Sequence, residues 1–237
     1  MSNETSLARR TVAEGLGTAI LLATVVGSGI MAERLSNNGN VAVALLANTI
    51  ATGAALVALI LTFGGISGAH FNPAVTICDW MQGGVSKTYA LAYITAQTIG
   101  AFAGVAAANV MFELPVFFAS QKVRTGGAQR FSEFVATFGL LAVIWGCVRL
   151  RSATVVPFAV AAYITAAYWF TASTSFANPA VTLARSMSDS FAGIRLADVP
   201  AFIVAQLLGA IAATLLFRWL VPITNEDAQA VVIPHEE

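Results

Sequence analysis

Charge is scarce in this 237-residue chain: Asp, Glu, Lys and Arg make up only 10% of it, against 57% hydrophobic residues. A soluble domain carries about a quarter charged residues, so the composition excludes that class and indicates an integral membrane protein. The 12 Lys and Arg balance 12 Asp and Glu without forming a basic cluster, which excludes nucleic acid and polybasic lipid attachment as electrostatic partners. Histidine and cysteine are rarer still, two of each. Cys78 and Cys147 lie in apolar segments with no second thiol or histidine at ligand spacing, so both are assigned to packing and no metal is expected. No Ser/His/Asp or di-carboxylate grouping is visible, and the chain reads as non-enzymatic and without cofactors.

What is abundant is long apolar sequence. Six runs, at about 11–32, 41–63, 88–112, 131–148, 154–171 and 199–221, are each close to the length of a membrane helix. Arg9-Arg10 before the first run is not read as an export signal, because that run is too long for a signal core and more spans follow. An even number of spans leaves both termini on one side. Lys and Arg divide six against six between the two sides, so charge does not orient the chain. Residues 1–8 and about 224–237 read as frayed tails.

The chain repeats itself. Asn72-Pro73-Ala74-Val75-Thr76 recurs as Asn178-Pro179-Ala180-Val181-Thr182, 106 positions on; Glu14 with Thr18 recurs as Glu133 with Thr137; Gln97-x-x-Gly100-Ala101 recurs as Gln206-x-x-Gly209-Ala210. Three landmarks in the same order indicate a duplication, with repeats at about 9–118 and 130–222 joined by the polar stretch 119–130. Each repeat has three full spans, an odd number, so the second enters from the opposite face and the repeat is inverted. The expected architecture is a single all-α domain, 1–237, of six transmembrane helices plus two re-entrant half-helices. Glycine-rich stripes at Gly15 and Gly17, Gly27 and Gly29, Gly100 and Gly104, and Gly209 mark expected close helix contacts.

Both Asn-Pro-Ala copies read as helix starts, with Asn as the cap and Pro at the first helical position. The apolar sequence after each is too short to cross a core of about 30 Å. Irregular backbone at membrane depth survives only when buried or lining a cavity. Two opposed half-helices would therefore meet near the midplane, their positive ends facing one point that repels cations. Asn72 and Asn178 would donate amide hydrogens into a pore, and the carbonyls of 68–71 and 174–177, including Gly68, Ala69, His70 and Ser175, would offer acceptors. Glu14 and Glu133 are intramembrane carboxylates, expected to brace these loops by accepting backbone amides; a proton relay is the alternative. His70 is expected to line the pore, Phe176 to supply an apolar wall, and Asp79 to sit at a mouth.

The paired Asn-Pro-Ala boxes, the Ser67-Gly68-Ala69-His70 lead-in and the duplicated six-span layout resemble the aquaporin and glycerol-facilitator family of major intrinsic proteins over nearly the whole chain. The resemblance implies a passive channel for water and small uncharged solutes in a cell membrane, cytoplasmic termini, and a homotetramer with one pore per subunit. The wording around Asn178 also resembles a bacterial subgroup associated with arsenic, which implies a bacterial inner membrane and adds metalloid hydroxides such as arsenite to glycerol and urea. In most of the family an Arg follows the second Asn-Pro-Ala; here it is Val181. By ungapped counting the other filter positions fall on Thr52 and on Ala166 or Ala167, so the expected filter is small, neutral and wide. Arg185, one turn beyond Val181, is expected at the vestibule paired with Asp189, with a reach back over the pore as the sharper alternative. A strictly water-selective channel and a proton-coupled transporter are the competing functions.

Overall fold

The computed structural model describes residues 6–36 and 39–222; most of the two tails lies outside them. Six long helices, α1 (Leu7–Leu35), α2 (Val41–Ser67), α4 (Lys87–Met111), α5 (Gly127–Leu150), α6 (Val156–Phe170) and α8 (Val199–Leu220), enclose two short ones, α3 (Pro73–Gln82) and α7 (Pro179–Ala184). Short 3-10 turns lead into α6 and α8, and another, Arg185–Met187, continues α7. Counting the 3-10 turns that lead into α6 and α8, all six are apolar and long enough to cross a membrane, close to the six runs read from sequence. At about 1.5 Å per residue, α3's ten residues reach about halfway through the core.

Local chemistry sets the ends. Ser6, Asn40 and Ser86 accept amide hydrogens of the first turns of α1, α2 and α4 through their side chains, each satisfying a donor that the helix cannot. Gly68 closes α2 at φ 87°, a left-handed conformation that a Cβ disfavours. The chain can then turn back into the molecule instead of leaving the membrane.

Packing follows the duplication. α1 lies against α4 and α2, α5 lies against α8 and α6, and α2 meets α6 across the middle. Lipid tails are as apolar as leucine, so association rests on close packing more than on the hydrophobic effect. A Cβ on Gly100 would overlap the carbonyl oxygen of Gly15, and one on Gly209 the carbonyl oxygen of Phe134. Gly100 and Gly209 are matched positions of the two repeats, so the same backbone contact is built twice.

The connection between the halves is pinned. Phe118 and Ser120 donate backbone hydrogens to Met187 and Ser186, and Arg195 donates to Lys122. Arg124, buried, holds Ser173 and Gly193 carbonyls with its side chain and the Asp198 carboxylate with its amide. The stretch thereby clamps the segment after α7 onto the bundle.

Adding a methyl at Gly100 or Gly209 should destabilise the protein by about 1–3 kcal/mol through overpacking against backbone. Gly127→Ala, with nothing within 4 Å of its Cβ position, should not. Thermal melts in detergent separate the two outcomes.

Candidate functional site

The site begins at the two half-helix starts, which share one geometry. Asn72 has φ −155° and ψ 116°, Asn178 φ −159° and ψ 116°. Each Oδ1 accepts the amide hydrogen two residues on, Ala74 at 2.9 Å and Ala180 at 3.0 Å. Each Nδ2 reaches across the repeat axis. Asn72 donates to the carbonyl of Ala177 at 2.8 Å, and Asn178 to that of Phe71 at 2.7 Å. This modifies the expectation that the amides face only the pore: one of two hydrogens on each is spent on the opposite loop, leaving one.

The loops ahead of these turns are strained. Ala69, Phe71, Ser175 and Ala177 all have φ of 48–49°, and Thr174 has 62°, conformations costing about 1–3 kcal/mol each for non-glycine residues. They are held by the buried carboxylates. Glu14 accepts the amide hydrogens of His70 (3.0 Å) and Phe71 (2.7 Å), the Ser67 hydroxyl (2.6 Å) and Gln97 Nε2 (2.8 Å). Glu133 accepts those of Phe176 (2.9 Å) and Ala177 (2.9 Å) and Gln206 Nε2 (2.6 Å). Each glutamine also donates to a threonine of the half-helix beside it, Thr76 or Thr182. Every peptide here is trans, so a peptide whose N–H points at a carboxylate turns its C=O the other way. The carbonyls of Ala69, His70, Ser175 and Phe176 are thus directed away from the glutamates, and all four residues line the central cavity.

That cavity, about 70 Å³, has room for on the order of five waters at roughly 10–15 Å³ each. Its remaining wall is largely aliphatic, including Leu21, Leu56, Val75, Leu140 and Val160. Of the residues expected there, Thr52, Ala69, His70, Asn72, Ser175, Phe176, Asn178 and Val181 do line it. Pro73, Ala74, Pro179 and Ala180 are buried behind the wall and serve as helix starts, and Gly68 is the α2 cap.

Three expectations need correction. Neither Ala166 nor Ala167 reaches the cavity: Ala166 faces outward and Ala167 packs inside the bundle. The α6 wall is instead the stripe Val160, Ile164 and Tyr168, because one residue of miscounting in a shortened loop turns a helix by about 100°. Tyr168 was missed, although the i, i+4 spacing could have found it, and its hydroxyl lies 3.2 Å from Thr52 Oγ1. Asp79 is not at an open mouth; it is 1% exposed, with Oδ2 3.6 Å from His70 Nε2, while His70 Nδ1 lies 3.0 Å from Thr76 Oγ1. Arg185 makes no ion pair with Asp189, whose Oδ1 is engaged by the Gln121 amide at 2.9 Å. It lies against the cavity with its guanidinium carbon 3.4 Å from the Phe176 ring centre, so this end of the cavity is not neutral.

The loop above this end adds positive charge that sequence spacing did not reveal. Arg124 stacks on the same Phe176 ring at 4.8 Å. Burial, with Arg124 and Arg185 nearby, pushes the Lys122 ammonium down to about 8.

Glu14→Gln or Glu133→Gln replaces a carboxylate by an amide with a single acceptor oxygen, which cannot serve both loop amides in the same way. Each change should cost about 1.5–3 kcal/mol for every hydrogen bond to the carboxylate that the amide cannot accept. The cost is read as a fall in melting temperature and in folded yield, of similar size at the two matched positions.

The comparisons with known proteins agree with this geometry. The profile described as "Major intrinsic protein" matches residues 1–175 and 149–236. "Aquaglyceroporin AqpS" of Rhizobium meliloti (strain 1021) is 56% identical over 217 residues, 92% of each chain. "Probable aquaporin AqpM" of Archaeoglobus fulgidus is 30% identical over 246 residues, covering 91% of this chain and 98% of that one. The X-ray structure of the aquaglyceroporin from Plasmodium falciparum superposes with a TM-score of 0.65 over 90% of this chain and 96% of that one; at 20% identity it speaks for the fold alone. With duplicated half-helices, braced loops and these matches along most of its length, the chain belongs to the major intrinsic protein family.

Proposed function

We propose that this protein is a passive channel for water and small uncharged solutes: glycerol, urea and metalloid hydroxides such as arsenite. The observation that carries the reading is the cavity running past Asn72 and Asn178, with loop carbonyls on one side and aliphatic side chains on the other. A solute with donors, acceptors and an apolar edge can exchange hydrogen bonds along such a wall without being held at one place. The site residues are then Asn72 and Asn178 as midplane donors; Ala69, His70 and Ser175 in the pore loops; and Thr52, Tyr168, Phe176 and Val181 around the outer constriction. Glu14 and Glu133 hold the loops.

Ions are excluded at the midplane. Each helix start carries about half a positive charge, and two facing one point present a cation with roughly a unit charge. At about 4 Å and an effective dielectric near 20, that is about 4 kcal/mol, or on the order of a thousandfold. Opposed half-helix dipoles are the general barrier described for aquaporin-type pores and are not particular to this chain.

A proton-coupled transporter would need a carboxylate free to change its protonation. Glu14 and Glu133 are 0% exposed and filled by donors from the loops they brace, which speaks against a proton relay through either of them. The two repeats, about 9–118 and 130–222, work as one domain, since each half supplies one wall of the same cavity. The protein is a multi-pass membrane protein; in our reading it sits in a bacterial inner membrane with cytoplasmic termini, as a homotetramer with one pore per subunit.

Stopped-flow light scattering on reconstituted vesicles tests the reading with water, glycerol, urea and trivalent arsenic. Water and glycerol fluxes should exceed those of protein-free vesicles, without accumulation driven by a proton gradient. Water flux alone would reduce the channel to a water-selective one, and proton-driven accumulation would replace it with a transporter.

A further inference from the structure

The second half-helix has no charge at Val181, directly after its Asn-Pro-Ala turn, and a buried one at Arg185, one turn later. At Arg185 the winding changes: α7 ends at Ala184 and Arg185–Met187 is 3-10. The side chain is 2% exposed, yet it borders the cavity together with Thr52, Tyr168, Phe176 and Val181. It is held by two contacts, neither of which neutralises it. Nε donates to the carbonyl of Ala192, and the guanidinium lies over the Phe176 ring.

Among the described residues, no carboxylate forms an ion pair with Arg185. Its neighbour in sequence, Asp189, is occupied by Gln121 and Ser120. Among the described residues only Nε donates to a protein acceptor, and neither terminal nitrogen is among the fully buried atoms left without a partner. An arginine keeps its proton in any protein environment, and an unpaired charge out of bulk water is costly unless something solvates it. Cavity contents are what remain to do so. The charge is also particular to this end: the matched position of the first half-helix, 106 residues earlier, is the acid Asp79.

We propose that Arg185 is the specificity-determining cation of the outer half of the pore, supplied from one turn beyond the position where the family usually carries it. Laid on Phe176, it repels cations and offers its two terminal nitrogens to acceptor oxygens of passing solutes. Val181, small and uncharged, leaves the adjoining cross-section open. The favoured class is therefore uncharged solutes bearing an acceptor oxygen, to meet Arg185 and the Thr52–Tyr168 hydroxyl pair, and an apolar group, to pass Val181. This rests on the channel reading above and names the residue that sets its selectivity.

The test compares vesicles containing the wild-type protein, Arg185→Gln, Arg185→Lys and the double variant Arg185→Gln with Val181→Arg. Proton and sodium leak are followed with internal dyes, and water and glycerol flux by light scattering. Removing a charge that close to the path should raise cation leak in Arg185→Gln by about tenfold or more. Arg185→Lys should keep the wild-type leak and shift the glycerol-to-water ratio, because an ammonium has no planar face to lie on Phe176. The double variant should regain exclusion while slowing glycerol relative to water, since the charge now fills the space that Val181 leaves. Wild-type leak and solute ratio in Arg185→Gln would overturn the assignment. Where that variant does not fold, an unchanged ratio in Arg185→Lys would do so. If the wild-type vesicles themselves pass neither water nor glycerol above protein-free vesicles, the channel reading falls, and this inference with it.

Discussion

Two carboxyl side chains sealed among membrane helices hold this structure in shape. Glu14 and Glu133 are each surrounded by hydrogen-bond donors from a loop that no regular secondary structure could satisfy. In hydrocarbon, an unpaired amide hydrogen or a bare carboxylate would each be prohibitive, and here each removes the other's cost. The left-handed residues at Ala69, Phe71, Ser175 and Ala177 are bearable because this exchange fixes them. The carbonyl-lined wall and the facing Asn side chains follow from the same arrangement. Gln97 and Gln206 extend the brace to the half-helices, so loop, cap and long helix form one connected polar network inside an apolar bundle.

Around that network the bundle is held by backbone proximity. Gly100 and Gly209 let α4 and α8 approach α1 and α5 until a carbonyl occupies the place of a side chain. α1 carries Glu14 and α4 carries Gln97, so the spacing set by the glycine is also the spacing that lets both reach the first loop. α5, α8, Glu133 and Gln206 repeat the relation at the other face. Packing and site geometry are therefore one constraint.

Most of the frame was legible because duplication writes each feature twice. The Asn-Pro-Ala boxes and the Gln-x-x-Gly-Ala pairs were readable as caps and contacts from their repetition, the Glu-x-x-x-Thr pairs as braces from repetition together with the family resemblance, and six apolar runs located the spans. What could not be read lay where the repeats differ and where distance along the chain says little about direction. The phase of α6 after a shortened loop put Ala166 and Ala167 in the place held by Tyr168. Arg185 was assigned to Asp189 because proximity in sequence suggested an ion pair, whereas the 3-10 turn and the Phe176 face lay it against the cavity. Arg124 gave no signal, because a loop arginine acquires its partners only when the loop folds down on the second half-helix.

The inverted repeat builds one frame at both faces and dresses it differently. His70 lies edge-on to Tyr93 where Phe176 lies edge-on to Phe202, and these are matched positions, as are Asp79 and Arg185. A solute crossing the molecule thus travels from an aromatic gateway with an acid behind it to one with a base, through a symmetric middle. Because the scaffold residues are shared and the gateway residues are not, either vestibule can diverge in sequence while the brace that shapes the passage stays intact.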